Sequence, residues 1–384
     1  MRTRNQTGLS FGAKATSLRP PEPSAAFFVR GLFQLVHDGS MCLTIDAPAE
    51  RASLSGDRYE DDDVERAGEL VHPSDLADWK LNAEVMLRGT CHAPGGAPVT
   101  ECPSHFAVGA WSKSLVVTGP RVWVDSLLGA VPSDLVAFTS APIGWSAAFG
   151  GPGHAANPVG KGLGTQQLPN VEDARDRVRR KGDRPTPAGF GPINATWPAR
   201  VAKAGKAYGR AWSKTRAPYF AEDLDPSYFH AAPADQQLEG FLRGDEAVVL
   251  HNLNATHAVL RTRLPGVRPR AFVRDVDGNA KEIALRLDTL SVDGDRAEAA
   301  LVWRGLEPVR DALLEELAFA LVVTERLDEP RAPADRYLAE LEAFAADPTG
   351  AVTASKRALA ELDAKIPAGA PATTDAAAAV AKRL

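Results

Sequence analysis

RAFVRDVDGNAKEIALRLDTLSVDGDRAEAALVWRGL, residues 270–306, holds two Asp-Gly pairs, Asp277-Gly278 and Asp293-Gly294, each between runs that alternate apolar and polar residues. Asp-Gly in that setting is a strong hairpin signal, because a tight two-residue turn needs central residues that accept positive φ. RAFVRDV and KEIALRL form one expected hairpin, and DTLSV and AEAALVWRGL the next. Just upstream, EAVVLHNL (246–253) and THAVLRTRL (256–264) flank a turn at Asn254. The first third of the chain has the same texture. AAFFVRGLFQLV (25–36) puts Val29, Gly31, Phe33 and Leu35 on one face and Arg30 and Gln34 on the other, the period of two of a half-buried strand. MCLTI (41–45), KLNAEVMLRGTCHA (80–93) and SHFAVGAWSKSLVVTGPRVWV (104–124) are further strands, with a turn at APGG (93–96) and breaks near Ser112 and Gly119. These runs predict a mainly β fold: an antiparallel β-sandwich or distorted barrel with long ordered loops, plus a small C-terminal helical hairpin.

The expected boundaries follow composition. Residues 1–24 are polar and Pro-rich and read as a flexible segment, and 25–328 form the β-rich domain. Within it, 47–66 reads as a surface loop ending in the acidic run YEDDDVE, and RDALLEELAFALVV (310–323) is taken as strand. Residues 329–366 read as the helical hairpin. Leu338, Leu341 and Phe344 or Ala345 form one stripe, and Val352, Leu359, Leu362 and Ile366 another. Residues 367–384 read as a disordered tail.

Between the two β regions lies a long irregular stretch, Pro142 to Glu246. It is dense in Gly and Pro, yet Trp145, Phe149, Phe190, Trp197, Trp212 and Phe229 recur beside the turns. Disordered linkers are poor in aromatics, so this stretch is expected to be ordered and pinned to a core.

Composition excludes some functions. The formal net charge of −5 argues against a general nucleic-acid binder, which must neutralise phosphates. The basic run DARDRVRRKGDR (173–184) lacks interleaved aromatics and reads as a solvated loop. No apolar run approaches the roughly 20 residues of a membrane helix. There is no apolar signal core near the start, and three cysteines fit a reducing compartment, so a cytoplasmic protein is expected, without nucleic-acid or membrane partners.

Catalytic motifs are weak. Cys91, His92, Cys102 and His105 are the best metal candidate, with Cys102-x-x-His105 at a plausible spacing; Cys91 and His92, adjacent on a strand, should point to opposite faces. Gly160-Lys161 lacks the flanking Gly and hydroxyl of a phosphate-binding loop, and Gly144-Trp-Ser146 lacks the closing Gly of a nucleophile elbow. Asp223, Asp225, Asp235, Asp245 and Glu246, near Arg243, read as loop-holding carboxylates. No catalytic residue, metal or cofactor is assigned.

A series of short motifs resembles, in order, the bacterial domain-of-unknown-function family 2169. FFVRGLFQL resembles its opening strand, LRGTCHAPGGAPVT its APGG hairpin, and KSLVVTGPRVW its paired strands. AFGG, NPVGKG and LPN resemble its central signature. PAGFGPI, Trp197 with Arg200, APADQQ, LRGDE, Leu264-Pro-Gly and DTL…LVWRG complete the series, covering roughly 20–305. The lead-in GWSAAFGG departs from the family pattern, and the helical end matches nothing in it. The resemblance implies a type VI secretion effector adaptor or chaperone, which holds a toxin effector and assists its loading onto the VgrG spike or its PAAR tip. It also marks Phe149, Gly150, Gly151, Asn157, Pro158, Gly160, Gly162, Asp235, Gln236, Arg243, Gly244 and Glu246 as the signature surface, structural or partner-binding. Two rival expectations are a metal-dependent hydrolase using Cys102 and His105, and a carbohydrate-binding β-sandwich stacking sugars on Trp145, Trp197 or Trp212.

Overall fold

The computed structural model describes residues 1–16, 23–60, 68–127, 129–310 and 314–348. The protein is mainly β, with no closed barrel among the described residues. Its central sheet runs in the order Ser10–Thr16, Ser24–Gln34, Glu298–Pro308, Arg286–Asp293, Glu84–Arg88. All pairs are antiparallel except the last, so the sheet is mixed. A second sheet joins Val171–Glu172, Trp111–Thr118, Glu101–Val108, Ala247–His251, Val259–Arg263 and Gly39–Ser40. A third joins Arg2–Asn5, Leu317–Arg326, Val267–Asp275 and Ala280–Ile283.

Pairing register explains the layering, because residues directly opposite each other in a ladder share a face. Val29 lies opposite Trp303, Gly31 opposite Leu301 and Phe33 opposite Ala299. Leu290 and Val292 extend that face through Leu301 and Ala299. The apolar face packs on the second sheet through Phe106, Leu115, Val117, Val248 and Leu250, all buried. Toward the start of the Ser24–Gln34 strand, Ala25 and Phe27 instead meet Ala271, Val273 and Ala320 of the third sheet. The outer face of the third sheet is covered by the helix Ala334–Ala346, whose Tyr337, Leu341 and Phe344 pack on Phe272, Leu321 and Val323.

The opposite face of the central sheet is also buried, and it is ionic. Arg30 lies opposite Val302 and Phe28 opposite Arg304, while Thr289 lies opposite Glu84. Arg30 Nε is 3.1 Å from Asp75 Oδ2. Arg304 Nη1 donates to Asp288 Oδ2 at 2.7 Å, and Nη2 to the Asp75 carbonyl at 2.9 Å. Asp288 falls where the ladder slips between Leu287 and Thr289; such a bulge re-aims a side chain. Lys80 bridges Glu84 and Thr289, and Glu84 also accepts from the Ala232 N–H at 2.9 Å and meets His230 Nδ1 at 3.2 Å.

Several expectations change. The Ser24–Gln34 strand is buried on both faces, with Arg30 only 2% exposed, because the segment carrying Asp75 covers it. Residues 1–24 are not simply flexible: the described part forms two paired strands, their backbone groups satisfied by Leu317–Arg326 and Ser24–Gln34. The loop expected at 47–66 includes a helical turn, Ala49–Ala52, and a short strand, Arg58–Tyr59. The break expected near Ser112 falls at Gly109 (φ 57°). Asp293-Gly294 does not form a two-residue turn; the loop runs to Ala297, which carries the positive φ. In the C-terminal helix, Tyr337 joins the buried stripe in place of Leu338. The second helix of the hairpin and the expected tail lie outside the described residues.

Burial alone would push the Glu84 carboxyl up, but the charge of Lys80 and hydrogen bonds from His230 and Ala232 outweigh it and hold it well below the ordinary range. A carboxyl depressed on folding contributes stability above its unfolded pKa of about 4.3 and loses it as pH falls toward the folded value. Glu84→Gln is therefore expected to cost about 3 kcal/mol at pH 7. Urea titrations of variant and wild type should show that gap narrowing by about 1.4 kcal/mol per pH unit below about pH 4.

Candidate docking surface

The central signature is a knot of close backbone approaches. Asn157 is fully buried, and its Nδ2 donates to the carbonyls of Trp145 and Phe149, both at 2.9 Å. The Asn157 carbonyl accepts the Gly151 N–H at 2.9 Å. A Cβ on Gly150 would collide with that carbonyl oxygen, and one on Gly160 would meet the Ala148 oxygen at 2.7 Å. Phe149 and Gly150 pair in parallel with Lys161 and Gly162. Pro158 follows Asn157 within the loop and is half-buried.

The second half of the signature is equally structural. Gln236 is fully buried; its amide donates to the Val85 and Phe190 carbonyls, both at 2.8 Å, and its oxygen accepts from Lys113 Nζ at 2.8 Å. Asp235 is exposed and pairs with Lys113 at 2.8 Å. Burial holds the Lys113 ammonium below its ordinary value, with Asp235 opposing. Glu246 accepts the N–H groups of Arg243 and Gly244 at 2.6 and 2.9 Å, closing a turn in which Gly244 takes φ 104°. The Arg243 side chain is exposed and touches Asp245 at 3.1 Å. Asp223 and Asp225 accept backbone N–H groups of neighbouring turns.

The aromatic anchors behave as expected, with one exception. Trp145, Phe149, Phe190, Trp197 and Phe229 are buried, and Trp145 and Trp197 meet edge to face at 6.1 Å. Trp212 is only half-buried, its Nε1 donating to the Tyr219 carbonyl at 2.8 Å. Arg200 fastens this region by donating to the Ile193 and Tyr228 carbonyls at 2.7 and 3.0 Å. Trp145 and Trp197 are thus sealed away from any sugar. The metal expectation also fails in its geometry. Cys102 and His105 sit three apart on the strand Glu101–Val108, so they point to opposite faces: Cys102 is buried, while His105 meets Ser114 Oγ at 2.8 Å. Cys91 and Cys102 face the core, where burial pushes both thiols up. His92 lies beside Asp295 at 3.8 Å. Among the described residues, no three His, Cys, Asp or Glu side chains are gathered as a metal site.

What the signature supports is a projecting hairpin. Trp123–Ser126 pairs with Gly129–Pro132, and Gly129–Pro132 pairs with no other strand among the described residues. Trp123 packs on the cluster of Phe149, Leu168 and Val178, and its backbone N–H donates to the Gln166 carbonyl at 2.9 Å. Beneath it, Arg121 is ion-paired with buried Glu172. The hairpin's outer face is apolar: Val124 lies opposite Val131, Val122 shares their side, and all three are exposed, as are Leu127 at the tip and Val136 beyond. A groove of about 330 Å³ opens at its base between Trp123, Phe149, the residues 162–166, Val178 and the residues 181–184. In the basic run, Arg175 and Arg177 are ion-paired, and the Asp183 carboxylate takes the N–H groups of Arg179 and Arg180. The side chains of Arg179, Arg180 and Lys181 are exposed. The strand expected to end at RVWV continues into a hairpin, and the alternation of Val122, Val124 and Val131 about Ser126-Leu127 is the sequence signal for it. No helix among the described residues is long and apolar enough to cross a membrane.

A family model described as an uncharacterized protein conserved in bacteria (DUF2169) matches residues 22–304. The match takes in the second sheet, most of the central sheet, the whole signature and the projecting hairpin; the strands Arg2–Asn5, Ser10–Thr16 and Leu317–Arg326 and the C-terminal helix lie outside it. No curated protein and no solved structure matches the chain.

Asn157→Ala would remove the side-chain donor of the buried Phe149 carbonyl and one of the two donors of the Trp145 carbonyl, which keeps the Ala148 N–H, at about 1–3 kcal/mol in all. Thermal unfolding should show a clear loss of stability for that variant, while Arg243→Ala should stay within about 0.5 kcal/mol of wild type.

Proposed function

The chain belongs to the DUF2169 family, and from that membership and the docking hairpin we propose that it is a non-enzymatic adaptor that binds a type VI secretion effector in the cytoplasm and assists its loading onto the VgrG/PAAR spike. The observation that carries this reading is the valine face at Val122, Val124 and Val131, held out on a two-stranded ribbon with one open edge. A lone two-stranded ribbon is marginal in water, and an exposed apolar face on it costs solubility. Both costs are offset when an extended segment of a bound protein adds a third strand. Backbone hydrogen bonds would then supply affinity, and side-chain pockets specificity. The exposed cations at 179–181 favour an effector segment that mixes apolar and acidic residues. The buried signature fits this role, because a docking ribbon must be held rigidly at its root.

Tagged full-length protein should recover one toxin-like protein and a spike component from cells expressing the secretion system. Leu127→Asp combined with Val124→Asp should lose the toxin while keeping the wild-type unfolding midpoint. Equal recovery by wild type and variant would remove the hairpin from the interface. Recovery of neither protein by the wild type would count against the adaptor reading itself.

A further inference from the structure

At one end of the ionic face of the central sheet, the cover is incomplete and leaves a cavity of about 420 Å³. Five arginines line it: Arg30, Arg51, Arg58, Arg88 and Arg296. Four of them have carboxylate partners. Arg30 is held by Asp75 at 3.1 Å, and Arg51 by Glu298. Arg88 and Arg296 share Asp293, at 3.4 and 3.7 Å. Arg58 has none among the described residues. Its Nη1 donates to the Glu50 carbonyl at 3.1 Å, and its Nε is buried without a hydrogen-bond partner. The fourth carboxylate nearby, Asp57, accepts the Ser74 N–H at 2.7 Å.

Among the described residues, five guanidiniums against Asp57, Asp75, Asp293 and Glu298 leave one positive charge, concentrated at Arg58. Its environment is hostile to a bare cation. Burial, then repulsion from Arg30, Arg88 and Arg296, lowers its pKa, with Asp75 opposing. A guanidinium with one buried N–H left without an acceptor and with cationic neighbours is completed by an anion.

We infer that this pocket binds one organic carboxylate, with Arg58 as the group that receives it. A single charge is matched by one carboxylate, whereas a dianionic phosphate would overshoot it and face the Asp293 and Glu298 carboxylates on the walls. Leu32, Val71, Val292 and Ala300 provide apolar wall for an aliphatic body. The planar guanidinium fork of Arg58 matches carboxylate geometry. The inference shares no residue with the docking hairpin and stands independently of the adaptor reading. The carboxylate comes either from a free small organic acid or from the acidic terminus of a polypeptide.

Calorimetric titration of the full chain tests it, with propionate, its neutral isostere propionamide, and inorganic phosphate as probes. Propionate should bind saturably and propionamide should not, and Arg58→Gln should weaken propionate about tenfold or more, a loss of about 1.4 kcal/mol. If Arg58→Gln does not fold, Arg296→Gln, at an exposed side chain, should still weaken it measurably. A short peptide ending in a free carboxylate, compared with its amide, then separates the sources: much tighter peptide binding identifies a polypeptide, and parity with propionate a small acid. Equal binding of propionate and propionamide, saturable binding of phosphate alone, or wild-type affinity in both variants would overturn the inference.

Discussion

The ionic layer on one face of the central sheet is the interaction on which the rest of the structure depends. Arg30 with Asp75, Arg304 with Asp288, and Lys80 with Glu84 and His230 are all buried or nearly so. Charges out of water persist only when their geometry and remaining hydrogen bonds are satisfied. That requirement binds distant parts of the chain. Asp75 must lie over strand Ser24–Gln34, and its carbonyl must also receive Arg304. Ala232 must offer its N–H to Glu84, which fixes one end of the long irregular stretch against the sheet. An apolar cover would tolerate sliding; this one sets a single position.

Much of the β architecture was legible in the sequence, for a local reason. The ladders at Val267–Asp275 with Ala280–Ile283, and at Arg286–Asp293 with Glu298–Pro308, are close in sequence and announced by their turns. The anchored character of 142–246 was legible from its aromatics. The role of Arg30 was not, because a period of two shows which residues share a face and not whether water or a carboxylate meets it. Asp75 lies 45 positions away with no motif around it. The N-terminal strands were missed because their pairing partners are distant and their own sequences are polar. Of the site, the signature glycines and Asn157 were visible as a pattern, but their burial was not, and so a knot was read as a surface. The five arginines of the cavity come from separate segments with no shared spacing.

The signature and the projecting hairpin are coupled through Phe149. Gly150 and Gly160 allow the backbone to close on Asn157, and Asn157 fixes Phe149. Phe149 receives Trp123, and Trp123 sets the direction in which the valine face looks. On the proposed adaptor reading, positions that never touch a partner would govern where a partner meets the protein. On this view the constraint on the glycines comes from the backbone, while the outward valines are free to vary with the partner.

The order of strands in the central sheet has a consequence for biosynthesis. Strand Ser24–Gln34 finds its main neighbour in Glu298–Pro308, and Arg2–Asn5 lies beside Leu317–Arg326. A ribosome must therefore deliver most of the polypeptide before these ladders can close. Until then, the early strands wait with open edges and with Arg30 facing water rather than its carboxylate. Pairings between such distant partners form slowly, and waiting edges invite association with other chains. The same long-range pairing that closes the finished sheets leaves them open in the nascent chain until synthesis is nearly done.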